Sequence, residues 1–430
     1  YAANASTMAT YLIWATGLAI LGRCLAERIG LQRCCTYLAW FVFVGGIINA
    51  GFGLMQYAEI SDYFFFVTGA PTPIKTSGIY GNLAQQNHFS THLGMALVSG
   101  CYLGFSKKLK TIWLFLFVAV LVTALLLSGS RSGLLFLGLT VVLLIAVTCR
   151  NQSNPLIKKI VWIAIAFLLL LVFALWLSAQ YFPMNAQFQR LVTLHGAIVP
   201  RLYLWKNALH MFAEHPILGV GFDAFAYQLI EQLHLVGDPS IWGIDQYPHN
   251  LILQLLAVSG VLGFAAVVLP MFFFFRQRIS MPLTLEGMWF FGMIGILLIH
   301  SMLEQPLFYA YFLGIAAVIM GVADSTYWTV TLSSKWKIAL LIFCVLGLAW
   351  LAKIAKEFDQ IEGHFYSSRY VLTDPTSKAQ ARESVIKGVG FFSPIYPITE
   401  LVAPEFFIAN DAPINEKIAF NQRVMHFAPI

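Results

Sequence analysis

The dominant pattern along the chain is a series of apolar runs, each about 20 residues long and separated by polar segments. A helix of that length spans the hydrocarbon layer of a bilayer. The runs lack the alternation of polar and apolar residues that a membrane β-barrel needs. Hydropathy therefore predicts about ten membrane-spanning helices. Their predicted positions are 7–22, 36–57, 84–105, 111–128, 133–149, 160–179, 249–275, 286–301, 305–322 and 336–352.

Lysine and arginine residues collect in every second connecting segment. These residues are Arg23, Arg28, Arg33, Lys107, Lys108, Lys110, Arg150, Lys158, Lys159, Arg276, Arg278, Lys335 and Lys337. The segments between them hold few basic residues, namely Lys75, Arg131, Arg190, Arg201 and Lys206. Because cytoplasmic loops carry the excess of positive charge, the loops 58–83, 129–132 and 180–248 and the chain after 353 are predicted to lie outside. In a bacterium this outer side of the inner membrane is the periplasm.

The pattern predicts an all-α, polytopic integral membrane protein. Its transmembrane domain covers 1–352 and includes a large periplasmic loop at 180–248, and a small periplasmic helical region follows at 353–430. That last region could dock another protein or only cap the membrane core. Composition agrees, since 59% of residues are hydrophobic, 11% are charged and the mean hydropathy is +0.75, against about a quarter charged residues in soluble proteins. The net charge of +6 is dispersed, so nucleic acid is not a predicted partner.

One titratable side chain stands where the long outside loop ends and an apolar span begins. His249 at this junction could exchange protons with water while it faces a substrate held in the bilayer. The alternative is an interfacial histidine without a chemical role. Asn250 could orient the imidazole or a ligand, or it could cap the following helix, because Asn is common at helix starts.

Two outside arginines are candidates for binding an anion. Arg131 lies in a tight turn rich in serine and glycine, whose donors beside a guanidinium suit a phosphate, although an interfacial arginine can also snorkel to the lipid headgroups. Arg201 follows Pro200 and is predicted in the first turn of a helix over 201–214, where the helix dipole favours an anion. The apolar face of that helix is predicted to lie on the membrane surface.

A polar run at 85–88 opens the third predicted span. Amide and imidazole side chains in this position are costly to desolvate unless they are paired or face a wet cavity. The run therefore predicts either a functional cavity or a polar helix entry at the interface.

Several short motifs resemble those of the bacterial O-antigen ligase and polymerase superfamily. They are Ser130-Arg131, then Arg201, Trp205, Ala208-Leu209, His215-Pro216, Gly219-Val220-Gly221 and Phe225, and finally His249-Asn250, Leu253, Gly260 and Gly263. Two further stretches are similar to the PglL-type O-linked protein oligosaccharyltransferases, which glycosylate type IV pilins and other periplasmic proteins. These stretches are Gly81 with Gln85-Gln86-Asn87, and Glu304–Leu313. The resemblance covers about residues 45–320.

The resemblance implies a glycosyltransferase in the inner membrane with its site on the periplasmic face. Its donor would be a glycan on undecaprenyl pyrophosphate, and its acceptor a hydroxyl of a periplasmic protein such as a pilin. His249 would act as general base in an inverting displacement, and Arg131 and Arg201 would hold the pyrophosphate. Contacts to glycan or acceptor are expected from Asn250, Gln85, Asn87, Lys206, Tyr247 and Glu304. No Asp-x-Asp motif occurs in an outside loop, so neither a metal nor another cofactor is expected.

The sequence departs from the family pattern at three positions. Val258 stands where relatives usually carry Glu, which puts in doubt any role for a carboxylate at that position. Gln86 replaces a usual proline, and Gln305 replaces a usual aromatic residue. These two changes could bear on the choice of acceptor.

Three other functions fit parts of the sequence. The first is an O-antigen ligase with lipid A-core as acceptor, or a polymerase that extends the glycan. The second is a transporter of lipid-linked sugars, which should show paired broken helices or an inverted repeat, and neither is recognisable in the sequence. The third is a non-catalytic membrane scaffold, which would not need His249.

Overall fold

The computed structural model describes residues 2–64, 66–68, 78–150, 195–222, 224–231, 247–279, 283–324 and 333–366, and a few isolated positions. All regular secondary structure in these ranges is helical, so the predicted all-α class is confirmed. The helices are α1 (Ala2–Ile29), α2 (Leu31–Tyr57), α3 (Gln86–Phe105), α4 (Thr111–Leu127), α5 (Ser132–Arg150), α6 (His195–Glu214), α7 (Phe225–Glu231), α8 (Leu251–Ile279), α9 (Leu285–Ser301), α10 (Ala310–Ala323) and α11 (Ser334–Tyr366). Short 3-10 turns lie at Ser61–Tyr63, Gly81–Leu83 and Pro306–Phe308.

The chain is a multi-pass membrane protein. Among the described residues, four helical segments are long and apolar enough to cross a bilayer, namely Ala9–Ile29, Leu31–Tyr57, Ser132–Cys149 and Leu251–Ile279. Three shorter apolar helices are Thr111–Leu127, Leu285–Ser301 and Ala310–Ala323. The predicted span at 160–179 lies largely outside the described residues, and the total of about ten spans stays a prediction.

Helix α3 forms the centre of the bundle. It packs against α2, α4, α5 and α9, and its side chains from His88 to Leu103 are buried except for His92, which is only slightly exposed. Its polar groups find partners inside the protein, as in the hydrogen bond between Ser90 and Ser128. A helix enclosed by other helices can carry more polar residues than one that faces lipid, because protein partners replace the missing water.

A break in helix α8 joins it to the segment that follows α6. Gly260 has φ +59° and ψ −166°, so the α8 hydrogen-bond ladder is interrupted there. The segment 216–221 occupies the break: the N–H groups of Val220 and Gly221 donate to the carbonyls of Ala257 and Val258. The N–H groups of Val261 and Leu262 donate in turn to Pro216 and Ile217. Main-chain groups freed inside a membrane protein need such partners.

Two glycines permit this close crossing. A Cβ atom at Gly260 would overlap the main chain of Ile217 and Leu218, and one at Gly219 would overlap that of Val258 and Ser259. Both glycines also have positive φ angles, which other residues adopt at a cost. The crossing therefore fixes α6 relative to α8 through main-chain contacts.

The predicted start of α6 is wrong. The helix begins at His195, not at 201, so Pro200 lies inside it and Arg201 is not in its first turn. The helix continues past the proline at the loss of one main-chain hydrogen bond, and an argument from the helix dipole no longer applies to Arg201. Part of the predicted apolar face of α6 packs against α8, because Leu204, Ala208 and Met211 share a cluster with residues of α8. Contact of α6 with the membrane surface stays a prediction.

The C-terminal region begins within a helix. Helix α11 runs without interruption from Ser334 to Tyr366, so the predicted boundary at 352/353 falls inside it. Apart from two isolated positions, the rest of the predicted region, 367–430, lies outside the described residues.

Candidate active site at the Glu304 carboxylate

The carboxylate of Glu304 is the meeting point of three distant segments. Glu304 lies in the turn after α9, and its side chain is 16% exposed. His249 Nδ1 lies 3.0 Å from Glu304 Oε2, and Asn87 Nδ2 donates to Oε1 at 3.0 Å. The guanidinium of Arg201 forms an ion pair with the same Oε1 at 3.6 Å. Hydrogen bonds to a charged group are the stronger ones in proteins, so this carboxylate orients all three partners.

His249 is held at the start of α8. Its φ angle is +52°, a conformation that costs a non-glycine residue on the order of 1–3 kcal/mol and is common at functional sites. The side chain of Asn250 caps the helix, since its Oδ1 accepts the N–H of Leu253 at 3.1 Å. The capping role predicted for Asn250 is therefore present, and its contact with a ligand stays a prediction.

Trp205 makes a second contact between helix α6 and the residues around His249. The indole Nε1 donates to the carbonyl of Pro248, the residue before His249, at 2.9 Å. Trp205 lies one turn after Arg201 on α6. The hydrogen bond and the crossing at Gly260 together fix the Arg201-bearing helix relative to His249.

Asn87 links the carboxylate to the turn that carries Arg131. Ser130 Oγ donates to Asn87 Oδ1 at 2.6 Å and lies 2.7 Å from Ser132 Oγ. The amide of Asn87 thus contacts Glu304 with its nitrogen and the Arg131 turn with its oxygen. The three residues predicted to form the reaction centre therefore lie in segments connected through Glu304 and Asn87.

The pKa of Glu304 reflects opposing influences. Burial of the carboxylate raises its pKa, but the hydrogen bond with His249 and the charges of His249 and Arg201 lower it by more, so the pKa ends below its ordinary value. Glu304 is therefore ionised at neutral pH. An ionised carboxylate at Nδ1 favours the imidazole tautomer that carries its proton on Nδ1 and leaves Nε2 as an acceptor.

Comparison with known proteins shows which families the sequence resembles. The family described as O-antigen ligase matches residues 96–268, and that described as protein glycosylation ligase matches 79–103. A third family, described as virulence factor membrane-bound polymerase, C-terminal, matches 288–430. Two relatives come from Acinetobacter baylyi. One is named general O-oligosaccharyltransferase and is 25% identical over 347 residues, and the other is named ComP-specific O-oligosaccharyltransferase and is 24% identical over 326 residues.

The chain is thus similar to the O-antigen ligase and protein glycosylation ligase families and to two O-oligosaccharyltransferases. The two alignments cover 79% and 74% of it. The chain spans only 59% and 56% of the length of these two relatives.

Val258, one of the three departures from the family pattern, lies in apolar surroundings. The side chain of Val258 is 1% exposed and belongs to the apolar contact between α6 and α8. The carboxylate beside His249 is that of Glu304, which the sequence indicated only as a contact for glycan or acceptor. Because the two residues are 55 positions apart in the sequence, no local pattern indicated this pairing.

The other predicted contact residues occupy different surroundings. Gln85 lines a pocket next to Asn87. The ring of Tyr247 lies 5.2 Å from that of Phe308, centroid to centroid. Lys206 is exposed on α6, and its role stays a prediction.

Sequence reasoning missed two buried amides that shape the entry to α3. Gln56 of α2 is fully buried, accepts the N–H groups of Tyr80 and Gly81, and donates to the Gly81 carbonyl. Asn49 accepts the N–H of Asn82 at 2.9 Å. Both lie within an apolar span, where a polar side chain is rare without a partner, and that rarity was the signal available in the sequence.

Proposed function

We propose that this protein is an O-oligosaccharyltransferase that moves a preassembled glycan from undecaprenyl pyrophosphate to Ser or Thr hydroxyls of periplasmic proteins such as pilins. The proposal places the protein in the bacterial inner membrane, with the Glu304 site on the periplasmic face. The observation that carries it is the carboxylate of Glu304 in contact with both His249 and Arg201. The names of the two relatives agree with a protein acceptor.

His249 acts as the general base in this proposal. With Nδ1 donating to Glu304, its Nε2 accepts the proton of the acceptor hydroxyl. The hydroxyl oxygen forms a bond to the anomeric carbon of the glycan, and the bond from that carbon to the pyrophosphate oxygen breaks. General-base assistance of this kind contributes about 10²- to 10⁴-fold to a rate.

Arg131 and Arg201 stabilise the departing pyrophosphate. A guanidinium has five N–H donors in a planar fork that matches phosphate oxygens. The ion pair with Glu304 orients Arg201, and Arg131 is held in a turn whose Ser130 is hydrogen-bonded to Asn87. Asn250, Gln85, Asn87, Lys206, Tyr247 and Glu304 contribute to binding of glycan or acceptor or to the orientation of the reacting groups.

A second candidate is ligation of the glycan to lipid A-core. The match of residues 96–268 to the O-antigen ligase family favours it. The two functions share the donor and differ in the acceptor, so one assay with two acceptors separates them.

The test is reconstitution of the purified protein with undecaprenyl-pyrophosphate-linked glycan and a candidate pilin. We expect a glycan-sized mass increase on the pilin and none on lipid A-core supplied in parallel. His249→Ala and Arg201→Ala should abolish transfer at unchanged expression. Matched variants away from the site, His210→Ala at a partly buried position of α6 and Arg28→Ala at an exposed position of α1, should retain it. Transfer to lipid A-core alone would reject the protein acceptor, and full activity of either site variant would remove that residue from the mechanism.

A further inference from the structure

A pocket of about 290 Å³ opens beside Asn87. Its lining residues come from the approach to α3 and from the first turn of that helix, and they are Tyr80, Ala84, Gln85, Gln86 and Asn87. None of these side chains carries a charge. The lining thus combines one aromatic ring with three amides, a composition that suits hydroxyl groups better than ions.

Hydrogen bonds from the buried side chain of Gln56 fix the wall of this pocket. Gln56 makes three hydrogen bonds to the main chain of Tyr80 and Gly81, at 2.9–3.1 Å. Ala84 has φ +55°, which turns the chain into α3. Binding sites gain affinity when their walls are ordered before the ligand arrives, and the main chain that Gln56 fixes at Tyr80 and Gly81 meets that condition.

One side chain of the lining carries an unpaired acceptor. The side-chain oxygen of Gln85 is buried and has no hydrogen-bond partner within the described residues. A buried acceptor left unpaired is costly, and a ligand hydroxyl would supply its donor. Gln85 is also the residue before the first turn of α3, and its side chain does not cap that helix.

The pocket adjoins both halves of the proposed reaction centre through Asn87. The Asn87 nitrogen donates to Glu304, the partner of His249, and its oxygen accepts from Ser130 in the Arg131 turn. In the displacement proposed above, the sugar being transferred lies between the base and the leaving pyrophosphate. Asn87 in the pocket wall therefore contacts the partner of the base on one side and the Arg131 turn on the other.

We infer that this pocket binds the sugar ring attached directly to the pyrophosphate of the donor, and that Gln85 and Gln86 hydrogen-bond its hydroxyl or acetamido groups. The inference rests on the proposed function. A volume of about 290 Å³ lies at the small end of ligand sites, which range from about 300 to 1,000 Å³. The pocket therefore accommodates one ring and leaves the outer glycan outside.

The test compares binding of two probes, polyprenyl pyrophosphate without sugar and polyprenyl pyrophosphate carrying a single N-acetylhexosamine. Dissociation constants are measured for the full protein in nanodiscs, without an acceptor. We expect the wild type to bind the sugar-bearing probe about tenfold or more tightly than the bare lipid, as two amide hydrogen bonds provide.

Two variants remove the amides without disturbing the helix. Gln85→Ala deletes the unpaired acceptor. Gln86→Pro is compatible with the backbone, because Gln86 is the first residue of α3 and Gln85 before it has φ −145° and ψ 131°, as proline and its preceding residue require. Gln32→Ala, an exposed position on α2, is the matched control.

We expect each pocket variant to lower the preference for the sugar-bearing probe by about fivefold, with binding of the bare lipid within about twofold of wild type. Unchanged binding of the bare lipid also shows that the variant is folded. An unchanged preference in both variants would overturn the inference, and so would equal weakening of both probes, which would assign the pocket to the pyrophosphate. Because no acceptor is present, a failure of transfer to protein would overturn the proposed function and leave this comparison intact.

Discussion

Glu304→Gln is the most informative single substitution, because it keeps the shape of the side chain and removes the charge. The carboxylate accepts from Asn87 and pairs with Arg201 at Oε1, and it contacts His249 at Oε2. A glutamine has only one oxygen. If that oxygen faces Asn87 and Arg201, its NH₂ group faces His249 Nδ1; if it is flipped, the NH₂ group faces two donors.

The first orientation is favoured because the NH₂ group then faces His249 alone and not the two donors of Asn87 and Arg201. It forces Nδ1 of His249 to accept, so the imidazole proton moves to Nε2 and the base is lost. We expect kcat to fall by about 10²- to 10⁴-fold, which corresponds to about 3–5 kcal/mol of transition-state stabilisation. KM for the donor should change less, because in this orientation Asn87 and Arg201 keep an oxygen as their partner.

The assay is the initial rate of glycan transfer to the acceptor protein at saturating donor. The matched control is Glu27→Gln on α1, where the carboxylate makes an exposed pair with Arg23 and should matter little. A Glu304→Gln protein with wild-type kcat would refute the role of this carboxylate in setting the state of His249.

Three further predictions address the supporting structure. Gly260→Ala should lower the thermal unfolding temperature and the transfer rate together, because its Cβ overlaps the main chain after α6; calorimetry and the transfer assay measure the two effects. Trp205→Phe removes the hydrogen bond to Pro248 and should reduce kcat by about 5- to 10-fold at unchanged helix content by circular dichroism. Since the pKa of Glu304 is lowered by folding, the stability it contributes is present above its ordinary value of 4.5 and is lost as pH falls through the folded value. The difference in unfolding temperature between wild type and Glu304→Gln should therefore shrink as pH drops below 4.5.

Matched controls separate these effects from general destabilisation. Gly17→Ala in the interior of α1 has open space around its Cβ, so it should leave stability unchanged or raise it slightly. Trp113→Phe at a half-exposed site on α4 should leave kcat unchanged. A Gly260→Ala protein as stable and active as wild type would contradict the fixed crossing of α6 and α8. A pH-independent difference at Glu304 would contradict the direction of its pKa shift.

Local patterns in the sequence were sufficient for several features. Long apolar runs predicted helices, because a helix satisfies its own main chain in lipid, and helices such as α2 and α4 follow those runs closely. The asparagine after His249 predicted a helix cap, which is a contact between residues three positions apart. Such features depend on residues that are close together in the chain, so the local sequence is enough to predict them.

The order of residues was enough to predict a helical membrane protein with a histidine at a loop-to-helix boundary. The carboxylate that this histidine contacts became known from the folded chain, because Glu304, Asn87 and Arg201 belong to three separate segments. The tertiary structure also decided that α6 passes through Pro200 and is fixed to α8 at the Gly260 break. Long-range contacts follow from how helices pack as a whole, and the propensity of a short segment carries no information about the partner it will meet.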